Sequence, residues 1–266
     1  MKNNKKYEFT GKTANVGKHI LHRIRALRDF GDVKAGDLGG FIESEGNLSH
    51  DGECWVYHNG KVSGNGVVCD NGVVFGHGMV RDHGRVCDHG AVFEHGVVRG
   101  HGEVCDHGTV FGYGMVRDHG RVCDHGAVFE HGVVRGHGEV CDHGTVFGYG
   151  MVCDHGRVCD NGVVAGYGWV SGHGVVYGYG RLSGHGSVHD KNDIITICPI
   201  GSRKNTTTFF KTQEGDIGVA CGCFSGTLDE FKDRVRQKHN NNRYAKEYMK
   251  AIELAEIHIL GGDDEQ

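Results

Sequence analysis

An aliphatic residue recurs at every sixth position from Val56 to Val188, and Leu182 is the one member of this series that is not valine. Counted inclusively in steps of six, the series has 23 members, and a glycine stands four places after nearly every one, so that the unit reads V-x-x-x-G-x. A 36-residue block at 79–114 also recurs letter for letter at 115–150. A short fixed period of this kind predicts a repeat architecture in which each coil is stabilised by its neighbours.

The residues that directly follow the aliphatic positions repeat with a period of 18, or three hexads, and form three columns. The Phe column is Tyr57, Phe75, Phe93, Phe111, Phe129 and Phe147; the Arg column is Arg81, Arg99, Arg117 and Arg135; the Cys column is Cys69, Cys87, Cys105, Cys123, Cys141 and Cys159. Side chains alternate along a strand, so each valine and the glycine two places before it share one side, and the column residues point to the other. A stack of four unpaired arginines cannot be accommodated in a narrow core. Valine and glycine are therefore expected to face inward.

Each hexad also leaves two residues, mostly Asp-His, Gly-His, Glu-His or Gly-Tyr, for a corner between strands. We expect the His and Asn residues to take the left-handed backbone that such a corner requires. Three strands and three corners per 18 residues describe a triangular coil. The predicted fold class is thus mainly β: a three-sided parallel β-solenoid with a small α+β module after it.

The chain is expected to have three parts. Residues 1–55 form an N-terminal β cap, residues 56–190 form the hexapeptide-repeat solenoid, and residues 191–266 form a C-terminal α+β module with two helices. In the module, a capping box of Thr227 and Glu230 predicts the start of the first helix. An apolar stripe predicts the second helix from about Arg243 to Ile259. A cap is required at each end because the open strand edges of a solenoid promote aggregation.

Composition narrows the possible functions. The formal net charge of -5 provides no basic field for a nucleic-acid partner. The chain has no run of 18 apolar residues and no apolar segment behind its basic start, MKNNKK, so neither a membrane span nor a secretion signal is expected. The predicted compartment is the cytoplasm, and the 11 cysteines are expected to be free thiols.

The hexads resemble those of the left-handed parallel β-helix of hexapeptide-repeat acyltransferases. More specifically, the stretch "IRALRDFGDVKAGDLGGFIESEGNLSHDGECWVY" at 24–57 is similar to the opening of the YdcK-like β-solenoid proteins of bacteria and their phages. The tail segments "IGSRKNTTTFF" and "CGCFSGTLDEF" are similar to a terminal module of phage-type members. The resemblance implies a left-handed winding and a phage or mobile-element accessory role. Members are often named acetyltransferases, so it also implies an alternative in which the protein is an acyltransferase that uses acetyl-CoA.

The residues themselves favour a non-enzymatic scaffold or binding protein over this alternative. Acyltransferases of this resemblance usually insert a long loop between hexads to build the substrate site, and the series from Val56 to Val188 has no insertion. A general base also needs a distinct environment, whereas the corner histidines recur in near-identical settings. We therefore predict no catalytic residue and no cofactor.

The corner histidines raise the question of a metal site. The weak candidates are His89, His107, His125 and His143, each beside an aspartate. Adjacent coils of a solenoid lie about 4.8 Å apart, so two imidazoles are close enough to share an ion. A flat column offers only two or three ligands, however, and a closed zinc site needs four. We expect solvated turn residues and no metal.

The Phe column gives the strongest indication of function. The strand residues two places before Phe75 to Phe147 are all apolar or uncharged, so the flank forms an apolar strip, nearly free of charge, that needs a cover. We predict that another subunit covers it in a homo-oligomer, a trimer or a dimer, with the C-terminal helices as the alternative cover. The Arg column is a candidate contact for an anionic polymer or an acidic partner, such as a host or phage protein, or else a solvated flank.

Overall fold

The computed structural model describes residues 5–261. The chain begins with an antiparallel hairpin of β1 (Tyr7–Val16) and β2 (His19–Ala26), which continues into β3 (Leu38–Ile42) and a short 3-10 helix (Glu45–Asn47). β3 pairs in parallel with the second strand of the solenoid, so the sheet changes from antiparallel to parallel pairing at β3.

The 23 strands of the solenoid are two residues long and lie in three parallel sheets. The Phe-side sheet contains β4 (Trp55–Val56), β7 (Val73–Val74), β10 (Ala91–Val92), β13 (Thr109–Val110), β16 (Ala127–Val128), β19 (Thr145–Val146), β22 (Val163–Val164) and β25 (Arg181–Leu182). The Arg-side sheet continues from β3 through β5 (Lys61–Val62), β8 (Met79–Val80), β11 (Val97–Val98), β14 (Met115–Val116), β17 (Val133–Val134), β20 (Met151–Val152), β23 (Trp169–Val170) and β26 (Ser187–Val188). The Cys-side sheet contains β6 (Val67–Val68), β9 (Arg85–Val86), β12 (Glu103–Val104), β15 (Arg121–Val122), β18 (Glu139–Val140), β21 (Arg157–Val158) and β24 (Val175–Val176).

Each strand pairs with the strand 18 residues later, as in Val98 with Val116. The 18-residue coil is therefore confirmed. Valine side chains from all three sheets fill one continuous core, and every valine of the hexad series is fully buried. Backbone bonds join successive coils on both sides of each valine: the Arg99 amide donates to the Val116 carbonyl at 3.0 Å, and the Val97 amide donates to the Gly114 carbonyl at 3.0 Å. None of the column residues from Phe75 to Phe147 belongs to the valine core, as the alternation of side chains predicts.

The prediction for the corner backbone was wrong in most hexads. After Val56 the left-handed residue is His58, with a φ of 49°. From Val62 to Leu182 the left-handed residue is the second after each aliphatic residue, and it is Asp, Glu or Gly: φ is 59° at Asp82, 53° at Glu94 and 62° at Gly100. The histidine comes next and instead donates its amide to the following coil, as His89 does to the Asp106 carbonyl at 2.7 Å. A short carboxylate side chain tolerates the left-handed region, and glycine has no penalty there, so the histidine ring is free to point outward.

Both ends of the valine core are closed. At the N-terminal end, Ile24, Leu48 and Trp55 join the core. The buried Lys6 lies in the same cap, where its ammonium group donates to the Cys54 carbonyl at 2.9 Å. At the C-terminal end, Phe210 of the module joins the core and lies against Leu182 and Gly186 of the last coil.

The module has its own sheet and a second core. After a 3-10 helix (Lys191–Asp193), β27 (Ile194–Ile200), β28 (Asn205–Lys211), β29 (Ile217–Cys221) and β30 (Phe224–Thr227) form an antiparallel sheet, followed by α1 (Leu228–His239) and α2 (Arg243–Leu260). The capping box is confirmed, since the Glu230 amide donates to Thr227 Oγ1 at 3.2 Å and the Thr227 amide donates to Glu230 Oε2 at 2.9 Å. The two helices pack on the sheet around Phe209 and Phe231. The predicted fold class is confirmed: a mainly β parallel solenoid with a small α+β module. Neither helix is long and apolar enough to cross a membrane, as judged over residues 5–261.

Candidate functional site

The Phe column forms a ladder of parallel phenyl rings on the outer face of its sheet. Ring centroids from Phe75 to Phe147 are separated by 4.8 to 5.0 Å, and neighbouring planes differ by 1° to 13°. Each ring is half-buried, because its two neighbours cover its faces and the edges remain on the surface. The strip is thus less exposed than the sequence indicated, yet it remains a continuous apolar edge of five rings.

The C-terminal helices do not provide the alternative cover among the residues that the structure describes. Their apolar faces pack in the second core, which contains no member of the Phe column. The module meets the Phe side only beyond the last ring: Ser183, two coils after Phe147, has its hydroxyl 2.7 Å from that of Ser225. The interface role of the Phe column stays a prediction.

The Arg column divides into two kinds of arginine. Arg81 and Arg117 each precede an aspartate, and their guanidinium groups lie 3.7 Å and 3.0 Å from the carboxylates of Asp82 and Asp118. Arg99 and Arg135 precede glycine and form no salt bridge within residues 5–261. Arg135 Nε donates to the sulfur of Met151 at 3.4 Å. Arg99 Nε is buried without a hydrogen-bond partner in the described part of the chain.

The Cys column is a ladder of thiols beneath a layer of charged side chains. Cys87, Cys105, Cys123 and Cys141 are only 3% to 5% exposed and form a cluster separate from the valine core. Arginine and glutamate alternate on the neighbouring strand positions and lie over the sulfurs. Arg121 Nη2 donates to Cys105 Sγ at 3.3 Å, and the Cys123 thiol donates to Glu139 Oε1 at 3.9 Å.

These thiols are poor nucleophiles. Burial raises the pKa of Cys69 and of Cys141 to about 12, and the neighbouring thiol of Cys123 raises the pKa of Cys105 to about 12. The thiolate is the nucleophilic form of cysteine, so these groups are protonated and weakly nucleophilic near neutral pH in the metal-free protein. The eleven cysteines are all free, as the sequence predicts.

The corner side chains form three further ladders of stacked rings, all exposed. The metal candidates His89, His107, His125 and His143 have ring centroids 4.8 to 4.9 Å apart and planes within 20° of parallel. None of them belongs to the one group of three possible metal ligands found among the described residues, which is Cys141, Asp142 and Cys159. The sequence did not single out that group, although the 18-residue spacing of its two cysteines was visible.

A cavity near the C-terminal end of the solenoid is the second feature that the sequence analysis missed. It is open, has a volume of about 400 Å³, and is lined by Arg135, Tyr149, Met151, Tyr167, Gly168, Trp169, His185 and Gln213. The columns change at this place: Cys153 replaces the next arginine, Ala165 replaces the next phenylalanine, and Trp169 replaces a smaller apolar residue. These breaks in the period were the available indication of a local site.

Comparison with known proteins supports the resemblance over one segment. No family model matches the chain. The chain is 39% identical over 57 residues to the protein named "Uncharacterized acetyltransferase YdcK" of Escherichia coli (strain K12). The match covers 21% of this chain and 17% of that relative, so it spans less than a fifth of the relative's length. Its 18-residue coils and this matched segment make the chain a β-solenoid protein that is similar to the hexapeptide-repeat, YdcK-like kind.

Proposed function

We propose that this protein is a non-enzymatic scaffold that associates with copies of itself through the Phe column. The observation that carries the proposal is the ladder of five phenyl rings at a spacing of 4.8 to 5.0 Å. The row of exposed ring edges on one chain can pack against the same row on a second, identical chain and exclude water from both. Identical patches that contact each other are the basis of closed symmetric oligomers.

Two further observations support this choice of surface. The strand residues beside the rings, such as Ala91, Thr109 and Ala127, carry no charge that would have to be desolvated. The second core of the module also leaves the strip free within residues 5–261. Aromatic side chains with few neighbouring charges are typical of the central part of protein interfaces.

The double substitution Phe111→Glu with Phe129→Glu tests the proposal. Two carboxylates would be buried without partners in the interface, and an uncompensated charge of this kind typically costs several kcal/mol. We expect light scattering after size exclusion to give an oligomer for the unmodified protein and a single chain for the variant. Far-ultraviolet circular dichroism checks that the variant keeps its β-structure.

The matched control is His101→Glu with His119→Glu. These exposed corner residues lie between the Arg-side and Cys-side sheets, away from the Phe-side sheet, so the control adds the same charge to a different surface. The control should keep the mass of the unmodified protein. A single-chain mass for the unmodified protein, or an unchanged mass for the phenylalanine variant, would contradict the proposal.

A host or phage protein with acidic side chains is the second partner that we propose, and its contact would be the Arg column. Arg99 and Arg135 are the better candidates within the column, because neither forms a salt bridge within the described residues. Arg81 and Arg117 already face aspartates of their own coils. An arginine without a neighbouring carboxylate has no internal ion pair to break before its terminal Nη groups contact an acidic partner.

Acyl transfer from acetyl-CoA is the alternative function, and the name of the relative matched over 57 residues favours it. The cavity beside Trp169 and His185 is the place where such a donor would be expected, since its lining includes a histidine and residues that break the period of the columns. Isothermal titration with acetyl-CoA separates the two functions. The scaffold proposal expects no binding heat, and saturable binding that is lost in His185→Ala and Trp169→Ala would favour the alternative.

A further inference from the structure

The thiols of the Cys column lie close enough to share ligands. Sγ of Cys141, a carboxylate oxygen of Asp142 and Sγ of Cys159 all lie within 4.8 Å of one another. Cys141 and Cys159 occupy equivalent positions in adjacent coils, and the four thiols from Cys87 to Cys141 form one cluster flanked by Cys69 and Cys159. The column is therefore a row of six sulfur atoms along one face of the solenoid.

The packing of the coil does not require sulfur at this position. Ser63 and Ser171 on the Arg side and Ser183 on the Phe side occupy the same place after the valine or leucine of their hexads, and all three are buried. The outward position of a hexad therefore accommodates a small hydroxyl side chain as well as a thiol on these two sides. The chemistry of the thiol, its affinity for soft metal ions, is what distinguishes the six cysteines.

The flat shape of the ladder limits which metal it suits. Each position can offer two adjacent sulfurs and at most one neighbouring carboxylate, whereas a structural zinc site needs four converging ligands. A soft monovalent ion such as Cu(I) needs fewer thiolate ligands than zinc does. A linear S–metal–S unit with metal–sulfur bonds of roughly 2.3 Å spans about 4.6 Å, which agrees with the spacing of adjacent parallel strands.

We propose that the Cys column binds soft monovalent metal ions of the Cu(I) type, and that Cys141 and Cys159 with Asp142 form the first site. On binding, each of the two thiols releases its proton to solvent, so the ion and two thiolates carry one net negative charge, and the Asp142 carboxylate adds a second. The guanidinium group of Arg157 offsets one of these charges, since Arg157 Nη2 lies 3.8 Å from Cys141 Sγ.

The ion can reach the sulfurs without opening the core. The groups over the thiols are the ends of long side chains, and the Arg157 side chain, paired with Glu139 at 2.8 Å, is 50% exposed. A surface ion pair of this kind contributes little to stability, so it can separate at small cost. Cys159 is itself only half-buried, which makes this end of the ladder the point of entry.

The test is a titration of the reduced protein with Cu(I) under anaerobic conditions, in competition with a chromophoric Cu(I) chelator. Three forms are compared: the unmodified protein, the variant Cys141→Ser with Cys159→Ser, and the control Cys198→Ser with Cys223→Ser. The control removes the two exposed cysteines of the module and leaves the ladder intact. Circular dichroism establishes that each form keeps its β-structure.

We expect the unmodified protein and the control to bind equal numbers of Cu(I) ions, and the ladder variant to bind at least one ion fewer. Replacement of all six ladder cysteines by serine should abolish the competition with the chelator. Zn²⁺ in tenfold excess should displace no Cu(I). Equal binding by the ladder variant and the unmodified protein, loss of binding in the control, or displacement by Zn²⁺ would each overturn the proposal.

Discussion

Replacement of one inward-facing glycine by alanine should destabilise the solenoid strongly. Gly126 stands two places before Val128, and a methyl group added there would lie 2.5 Å from the Val140 carbonyl oxygen of the next coil and 3.0 Å from that of Cys123. Ordinary contact begins at 3.4 Å, so the two coils would have to separate by about 0.9 Å.

That separation breaks the hydrogen bonds on both sides of the glycine. The Ala127 amide donates to the Gly144 carbonyl at 2.9 Å, and the Cys123 amide donates to the Val140 carbonyl at 3.0 Å. Stretched by about 0.9 Å, both would exceed the range of a hydrogen bond. Two buried backbone pairs at about 1 to 2.5 kcal/mol each give a loss of roughly 2 to 5 kcal/mol, or about 5 to 15 °C in Tm.

Thermal melting followed by circular dichroism measures the effect, and the chain offers two internal comparisons. Gly90→Ala should give the same loss, because Gly90 is the copy of Gly126 in the preceding block and faces the Val104 carbonyl at 2.5 Å. Gly46→Ala should leave Tm nearly unchanged, since the nearest atom is Ser44 Oγ at 3.7 Å. A Tm for Gly126→Ala within 2 °C of the unmodified protein would show that the inward packing of glycine is wrong.

Two further predictions concern charge. Acidification from pH 7.5 to 5 should lower Tm through His50: burial lowers its pKa, so the unfolded chain binds the proton first and stability falls as pH drops below about 6.5. A Tm that is constant over this range would exclude this contribution. Lys6→Met should destabilise the cap by roughly 2 to 4 kcal/mol, because the carbonyls of residues 51, 52 and 54 lose their buried donor. Limited proteolysis of the N-terminal hairpin measures this effect, and an unchanged rate of cleavage would contradict the prediction.

The periodic part of the molecule could be predicted from the sequence because one interaction is repeated in every hexad. A buried valine with a glycine two places before it decides which face of each strand turns inward, and the 18-residue columns then fix which side chains share a face. The capping box at Thr227 was predictable for a similar reason, since both of its partners lie within one helical turn.

The missed features depend on contacts between coils. The burial of Cys105 results from the Arg121 side chain of the next coil lying over it, and the half-burial of each phenylalanine results from its stacking neighbours. The position of the left-handed residue at a corner was missed because side-chain preference alone does not decide between two adjacent corner residues. At the cavity beside Trp169, three columns change their residue type within two coils. The period predicts the residues that repeat, and it does not indicate the place where the repeat is broken.

The duplication limits the kind of function that the middle of the chain can have. A catalytic group acts once, in one environment, and every residue of 79–114 has an identical counterpart at 115–150. Two copies of a weak contact, by contrast, act together when both engage the same partner, so that the second forms at a high effective concentration. A ladder of rings or of thiols gains from such repetition, because each added coil extends the contact or adds a ligand to the row. Functions that need a single environment are therefore expected at the ends of the solenoid, at the Lys6 cap or the Trp169 cavity, and functions that gain from repetition along its walls.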